Sequence, residues 1–179
     1  MTVTDCSLLD VKIISPAVFS DDRGVFFESF SKSKFQKLGL PADFDQDNQS
    51  FSKKGVLRGL HFQTGLFAQG KLVRVISGKV LDVAVDIRKS SATYGKWEFF
   101  ELSEENQSMV YIPEGFAHGF LALEESVFSY KCTKGYNKES ESGIIWNDSQ
   151  LAIEWPKMDY IISEKDLELP ELNDLFLEE

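Results

Sequence analysis

Apolar and polar residues alternate along much of this chain, in short runs separated by turn-forming residues. The clearest run covers residues 79–88, where every second position is aliphatic: Leu81, Val83, Val85 and Ile87. The positions between them include Asp82, Ala84 and Asp86. A period of two places successive side chains on opposite faces of a strand, so this run predicts a half-buried β-strand.

Similar β-rich runs predict further strands at residues 11–14, 25–30, 72–76, 97–102, 109–112, 127–132 and 143–146. Strands at this spacing are typical of a sandwich or barrel. Helix is scarce: Ser31 is a candidate N-cap for a helix over residues 31–38, with Phe35 and Leu38 on one face and Gly39 as terminator. A second helical turn is predicted after Ser163.

No repeat, low-complexity tract or linker divides the 179 residues, and 42% of them are hydrophobic. That is enough for one sizeable core. We therefore predict an all-β fold, a double-sheet jelly roll with a few short helices, in a single domain over residues 1–179.

The formal net charge of −10 restricts the possible partners. A nucleic-acid backbone would be repelled, so we expect no nucleic-acid partner. A small anionic ligand would need a local cluster of cations drawn from separate parts of the chain, such as Arg23, Arg58, Lys71 and Lys165.

The N-terminal residues lack the basic and apolar stretches of an export signal, and no segment approaches the ~18 apolar residues of a membrane span. We expect no membrane partner. Cys6 and Cys132 lack the paired spacing of a disulfide or metal framework. Both are predicted to be free thiols in a reducing cytoplasm.

The segment at residues 55–71, GVLRGLHFQTGLFAQGK, places Arg58, His61 and Lys71 among apolar residues and predicts an active-site strand and loop. His118 is the other histidine, in PEGFAHGF, which is similar to the second cupin motif. Gly59, His61 and Gln63 stand where the first cupin motif would begin. Metal-binding cupins need about three histidines and a carboxylate, so we expect no metal site in this chain.

Longer motifs make the resemblance specific. In chain order they are DDRGVFFESF, QDNQSFSKKGVLRGLHFQ, AQGKLVRVISGKVLDVAVDIR, TYGKWEFFELSEEN, YIPEGFAHGF and SEKD. Together they closely resemble the dTDP-4-dehydrorhamnose 3,5-epimerase family, over about residues 19–170. The resemblance implies a cupin homodimer that needs neither metal nor cofactor and epimerises a dTDP-4-keto-6-deoxy sugar at C3 and C5.

The family's catalytic residues carry over to four positions. His61 matches the base and Asp166, in SEKD, matches the carboxylate that pairs with it. Lys71 matches the residue near the ketone oxygen, and Tyr130 matches the general acid on the opposite face. Without the resemblance, His61 could be a core histidine, Asp166 a helix N-terminal residue, Lys71 a solvated lysine and Tyr130 part of the core.

The resemblance also implies a set of substrate-binding residues: Arg23, Phe26, Glu28, Gln46, Asn48, Arg58, Gln63, His118, Tyr136, Glu141 and Lys165. Tyr136 falls where the family stacks an aromatic ring on thymine. In family dimers the N-terminal region reaches the partner, so Arg23 and Glu28 are expected to complete the other subunit's site.

Two departures from the family pattern leave alternatives open. The loop after Gln63 reads TGLFAQGK where relatives carry a proline pair, and the aromatic pair near Tyr136 is here Gly135 with Tyr136. An enzyme that inverts one centre, a 3,4-ketoisomerase of a related nucleotide sugar, and a cupin that binds such a sugar without chemistry are the alternatives.

Overall fold

The structure, a computed structural model, describes residues 1–176. Residues 177–179 of the predicted domain lie outside the described part. The strands, in chain order, are β1 (Thr2–Asp5), β2 (Lys12–Ser15), β3 (Val18–Asp21), β4 (Gly24–Phe27), β5 (Gln46–Ser52), β6 (Leu57–Gln63), β7 (Lys71–Ser77), β8 (Lys79–Asp86), β9 (Trp97–Ser103), β10 (Met109–Ile112), β11 (Phe116–Ala122), β12 (Ser126–Cys132) and β13 (Glu141–Gly143).

The strands form two antiparallel sheets and a separate hairpin. The first sheet has the order β1-β2-β10-β7-β12-β5, and the second has the order β13-β6-β11-β8-β9. Strands β3 and β4 pair only with each other. Consecutive strands often lie in different sheets, as in a jelly roll, so the predicted all-β class is confirmed.

The main core lies between the two sheets. It is built from alternate residues of facing strands, among them Val73 and Val75 of β7, Phe120 of β11 and Phe128 of β12. The Phe120 and Phe128 rings stack with centroids 4.4 Å apart. Apolar burial between the sheets is therefore what holds the jelly roll together.

Strand β8 is buried on both faces, so the prediction of a half-buried strand is wrong. Asp82 and Ala84 point inward, whereas Val83 and Val85 lie in a second apolar cluster on the outer face of the second sheet. Leu151, Trp155 and Leu172 from the C-terminal part of the chain complete that cluster. A local pattern cannot show that a distant segment covers the expected solvent face.

A third cluster covers the outer face of the first sheet. Helix α1 (Lys32–Lys37) buries Phe35 there, against Ile14 and Leu72. Leu38, predicted to share that face, is instead 40% exposed. The chain leaves the helix through Gly39, whose φ of +73° favours glycine.

The second predicted helical turn is α2 (Glu164–Leu167). The side chain of its N-cap residue, Ser163, accepts a hydrogen bond from the amide of Asp166. A serine in this position satisfies an amide that the first turn of a helix leaves unpaired. This short helix places Asp166 against β6.

Several strand boundaries differ from the predictions. The run predicted at residues 25–30 ends at Phe27, and the run predicted at 143–146 is replaced by a strand that ends at Gly143. Strands β1, β3, β5 and β11 were not predicted. Strand β5 directs polar side chains inward, and β11 is buried on both faces, so neither shows apolar residues at every second position.

Among residues 1–176, no helix is both long and apolar enough to cross a membrane.

Candidate active site

A cavity of about 450 Å³ opens between the two sheets. Most of its polar lining comes from strands, where the pleat directs alternate side chains inward, whereas Tyr136, Lys165 and Asp166 come from outside the strands. The predicted site residues in this lining are Gln46, Asn48, Arg58, His61, Gln63, Lys71, His118, Tyr130, Tyr136, Glu141, Lys165 and Asp166.

His61 and Asp166 form a hydrogen-bonded pair at the wall of this cavity. His61 Nε2 lies 2.7 Å from Asp166 Oδ1, and Asp166 Oδ2 accepts the amide hydrogen of Gly59 at 3.2 Å. Burial raises the pKa of Asp166, but these hydrogen bonds outweigh burial and hold its pKa below the ordinary value. An ionised carboxylate here favours the tautomer with hydrogen on Nε2, which leaves Nδ1 able to accept a proton.

The two histidines are brought side by side by a close approach of β6 and β11. His61 and His118 are directly opposite in the register of these strands. A Cβ atom at Gly59 would lie 2.6 Å from the Cα atom of Gly119, and Gly59 has a φ of +122°. Both glycines of the motifs RGLHF and AHGF are therefore required by the space between the strands.

Lys71, at the start of β7, is buried beside the pair. Its ammonium donates a hydrogen bond to the carbonyl oxygen of His61 at 3.1 Å. Burial lowers the pKa of Lys71, and nearby negative groups that include Asp82 and Glu141 act in the opposite direction. A buried cation at this point would attract a negatively charged oxygen of a ligand.

Tyr130 approaches the cavity from the first sheet, opposite the wall that carries His61. It shares the inner face of β12 with Phe128 and Cys132, as predicted. Burial raises the pKa of Tyr130, so the phenol stays protonated at neutral pH. The two walls thus present a proton acceptor and a proton donor to whatever occupies the space between them.

His118 also has a carboxylate partner. Its Nε2 lies 2.7 Å from Oδ1 of Asp82, and both side chains are buried. Burial lowers the pKa of His118 and raises that of Asp82. Asp82 lies behind the ring and outside the cavity lining.

Three predicted residues form a charged cluster in the cavity lining. The Tyr136 hydroxyl donates to Glu141 Oε2 at 2.9 Å, and Lys165 Nζ lies 2.7 Å from Glu141 Oε1. Burial alone would raise the pKa of Glu141, but these two partners lower it by more. The pKa therefore lies below its ordinary value and the carboxylate stays ionised. Tyr136 is 54% exposed, which leaves its ring available to a ligand.

Two glutamine side chains hold the loop that carries Tyr136, and a serine of β5 holds Arg58. Gln46 Oε1 accepts the amide of Tyr136 at 2.7 Å, and Gln63 Oε1 accepts the amide of Asn137 at 2.9 Å. Arg58 Nε donates to Ser52 Oγ at 3.1 Å. The two glutamines therefore fix the loop that carries Tyr136.

Arg23, Phe26 and Glu28 lie outside this cavity. Arg23 and Phe26 belong to the exposed β3–β4 hairpin, where Arg23 pairs with Asp21 at 2.5 Å. Glu28 follows the hairpin and pairs with Lys34 at 2.8 Å. The chain does not bring these three predicted residues to its own cavity.

Sequence reasoning missed other residues of the site, including Cys132 and Ser50 in the lining and Asp82 behind it. The period of two along β12 and β8 was the available signal, because it places Cys132 with Tyr130, and Asp82 on the face opposite Val83. Among residues 1–176, no group of three or more histidine, cysteine, aspartate or glutamate side chains could hold a metal ion.

Comparisons with known proteins identify the family. The model of the dTDP-4-dehydrorhamnose 3,5-epimerase family matches residues 5–174. The dTDP-4-dehydrorhamnose 3,5-epimerase of Escherichia coli is 52% identical over 178 residues, which cover 98% of this chain and 96% of that protein.

Solved structures agree. The crystal structure of dTDP-4-dehydrorhamnose 3,5-epimerase from Elizabethkingia anophelis matches with a TM-score of 0.92 and 51% identity, covering 98% of both chains. The dTDP-6-deoxy-D-glucose-3,5-epimerase of Legionella pneumophila, solved with dTDP-4-keto-L-rhamnose, matches with a TM-score of 0.93 and 46% identity, covering 97% of this chain and 94% of that one.

Proposed function

Because the chain belongs to the dTDP-4-dehydrorhamnose 3,5-epimerase family, we infer that it is an isomerase that inverts C3 and C5 of a dTDP-4-keto-6-deoxyhexose. The substrate is dTDP-4-dehydro-6-deoxyglucose and the product is dTDP-4-dehydro-L-rhamnose. The observation that carries this assignment to individual residues is the His61–Asp166 pair, separated by 2.7 Å, in one cavity with Lys71 and Tyr130.

The first step is removal of a proton from a carbon next to the ketone. His61 accepts this proton at Nδ1, because Nε2 is engaged by Asp166. The Asp166 carboxylate stabilises the imidazolium that forms. A base positioned in this way contributes ~10²- to 10⁴-fold to the rate.

Removal of the proton moves negative charge onto the ketone oxygen and gives an enolate. Lys71 is held by the carbonyl of His61, so the cation and the base keep a fixed relation to each other. A preorganised donor to such an oxygen is worth ~3 kcal/mol of transition-state stabilisation. Lys71 must carry its charge to serve this role.

Inversion requires the new proton to arrive from the other face of the carbon. Tyr130 is on the opposite sheet from His61 and is protonated, so it supplies that proton. With His61 alone, the proton would return to the face that it left, and the starting configuration would be restored.

The remaining polar residues of the lining suit the nucleotide. Arg58 provides a planar guanidinium for the diphosphate, which it can bind through paired hydrogen bonds. The exposed ring of Tyr136 is available to stack on thymine. Glu141 accepts the hydrogen bond of the Tyr136 hydroxyl and is itself paired with Lys165, so both residues add hydrogen-bonding groups beside the base.

We further propose that the enzyme works as a homodimer in which each β3–β4 hairpin completes the partner's site. The hairpin exposes Phe19, Val25 and Phe26 by 64%, 61% and 71%, and such apolar surface is typical of an interface. Arg23 on the same hairpin would bring a cation to the partner's nucleotide. A two-fold dimer makes this exchange reciprocal.

We also propose that the protein is cytoplasmic, because both of its cysteines are free thiols. Cys6 and Cys132 are free, and free thiols persist in a reducing compartment.

Proton NMR of dTDP-4-keto-6-deoxyglucose with the protein in D₂O tests the function. Deuterium should enter at both C3 and C5 without any added metal. Exchange at one carbon would instead identify a mono-epimerase, and migration of the carbonyl a 3,4-ketoisomerase. Binding without exchange would identify a cupin that binds the sugar without chemistry.

A further inference from the structure

A second histidine–carboxylate pair lies behind the catalytic one. Asp82 is completely buried, and its Oδ1 is 2.7 Å from Nε2 of His118. Its other oxygen, Oδ2, is buried and accepts no hydrogen bond from any residue in the part of the chain that the structure describes. Isolated buried carboxylates are costly, so an unpaired oxygen in this position calls for a nearby positive charge.

Lys71 supplies that charge. Arg58 and Lys165 also line the cavity, but Lys71 is the buried one of these three cations, at 8% exposed, and within residues 1–176 the His61 carbonyl is the acceptor found for its three ammonium hydrogens. Burial lowers the pKa of Lys71, and the charge of Asp82 raises it. Burial is the largest influence on Asp82 and raises its pKa overall, while His118 and Lys71 act to lower it. Each ion therefore favours the charged form of the other.

The other titratable groups around Lys71 either have another partner or are neutral. Glu141 on β13 is paired with Lys165. Cys132 on β12 is a thiol whose pKa is raised by burial, so it is neutral at neutral pH. The phenols of Tyr130 on β12 and Tyr111 on β10 are also neutral, because burial raises the pKa of both.

The two histidines complete the surroundings of Lys71. His61 on β6 is paired with Asp166, which carries its own negative charge. His118 on β11 is buried, and burial lowers its pKa. Of these groups, Asp82 is therefore the buried carboxylate whose charge favours the ammonium form of Lys71.

We propose that Asp82 is a positioning residue of the epimerase: its carboxylate keeps the buried Lys71 ammonium charged and holds the His118 ring through Nε2. The proposal rests on the proposed function, since it concerns the charge that stabilises the enolate. With Asp82 ionised, the Nε2 hydrogen of His118 points inward and Nδ1 is an acceptor for a sugar hydroxyl.

The variant Asp82→Asn keeps the shape and removes the charge. Lys71 works as an ammonium, so activity falls as the pH rises through its pKa. Without Asp82 that pKa falls, and the basic limb of the kcat–pH profile should move to lower pH. At neutral pH, kcat should fall toward the loss of about 10²- to 10³-fold that follows removal of one oxyanion donor. The Kd for dTDP should stay within about twofold, because Asp82 lies away from the nucleotide residues.

Asp86→Asn is the matched control. Asp86 is on the same strand and the same inner face, it is also fully buried, and its charge is paired with Arg88 at 2.8 Å. This variant should lose stability without any shift of the basic limb. His118→Gln tests the other member of the pair: it should lower kcat but leave the basic limb in place, because Asp82 still faces Lys71.

A measurement on the unaltered enzyme avoids any folding defect of the variants. In protein labelled with ¹³C at lysine Cε, the signal of Lys71, assigned through Lys71→Arg, should report an ammonium at neutral pH. A neutral amine would overturn the proposal. So would an unmoved basic limb in folded Asp82→Asn, or a basic limb that moves in His118→Gln. If the unaltered enzyme exchanged neither proton of the substrate, the proposed function itself would fail.

Discussion

At the scale of single residues, the proposed chemistry depends on charged groups that are almost fully buried. Lys71, Asp82 and Asp166 are exposed by 8%, 0% and 4%. A charge in such a position is destabilising by several kcal/mol unless it is paired. Asp166 is paired with His61, and the charge of Asp82 acts to raise the pKa of Lys71, which burial lowers. Three of the buried charged side chains that the structure describes therefore lie at or beside the proposed site of reaction.

His61→Ala tests the role of the base. Turnover should fall by at least ~10²-fold, because a positioned base contributes that much or more. Binding of dTDP, measured by calorimetry, should largely survive, since His61 is predicted to face the sugar. Turnover at the level of the unaltered enzyme would contradict the mechanism.

Tyr130→Phe separates proton removal from inversion. His61 can still remove a proton, so deuterium from D₂O should still enter at C3. The phenol that delivers the proton to the opposite face is absent, so the inverted product should fall by ~10²-fold or more. Proton NMR measures both quantities in one sample. Equal loss of exchange and inversion would show that Tyr130 acts before the proton is removed.

At the scale of elements, one buried carboxylate fastens the turn between β8 and β9. Asp86 accepts hydrogen bonds from Arg88 at 2.8 Å, and from Ser91 and Thr93 at 2.6 Å. Arg88 also reaches Asp10 at 2.8 Å, so the N-terminal part of the chain is tied to the same turn. This network closes the second sheet without taking part in the cavity.

The charge of Asp86 makes a testable contribution to acid stability. Burial alone would raise the pKa of Asp86, but its hydrogen-bond donors lower it to about 2 from 3.8. A depressed pKa gives stability that is present above the unfolded value and is lost as the pH falls toward 2. The contribution is about 2 kcal/mol.

Asp86→Asn should therefore lower the free energy of unfolding near neutral pH and flatten its dependence on pH between about 4 and 2. Urea unfolding at a series of pH values measures this. The exposed Asp22→Asn, on the turn of the hairpin, is the control for the loss of one negative charge. An identical pH dependence for Asp86→Asn and the unaltered protein would contradict the assignment.

At the scale of the whole molecule, the β3–β4 hairpin stands apart from the two sheets. It pairs with neither sheet, and a cation–π contact of Arg74 over the Phe27 ring, at 5.9 Å, connects it to the first one. Its exposed phenylalanines and its arginine serve no purpose in the chain's own cavity. We propose that the chain forms a single domain whose site becomes complete in the dimer.

Mixing two inactive variants tests this exchange. In a heterodimer of His61→Ala and Arg23→Ala subunits, one site combines an intact His61 with an intact Arg23 from the partner. Random mixing makes half of the dimers mixed, each with one intact site of two, so about a quarter of the activity should return. Each variant alone should stay far below that level. No recovery after verified subunit exchange would contradict a shared site.

The sequence alone determined the class of fold and named the residues that we propose do the chemistry. Alternating apolar positions are a local property, so strands such as β8 and β12 could be located without any structure. The family could be recognised because its motifs depend only on which residues occur and in what order, and both are given by the sequence. His61, Lys71, Tyr130 and Asp166 were found in this way.

Only the tertiary structure decided which residues meet. His61 and Asp166 are 105 residues apart, and Asp82 and His118 are 36 residues apart. Such contacts depend on strand register and on how the sheets pack, which no local pattern encodes. The same reason explains why β8 is buried on both faces and why Arg23, Phe26 and Glu28 lie outside the chain's own cavity.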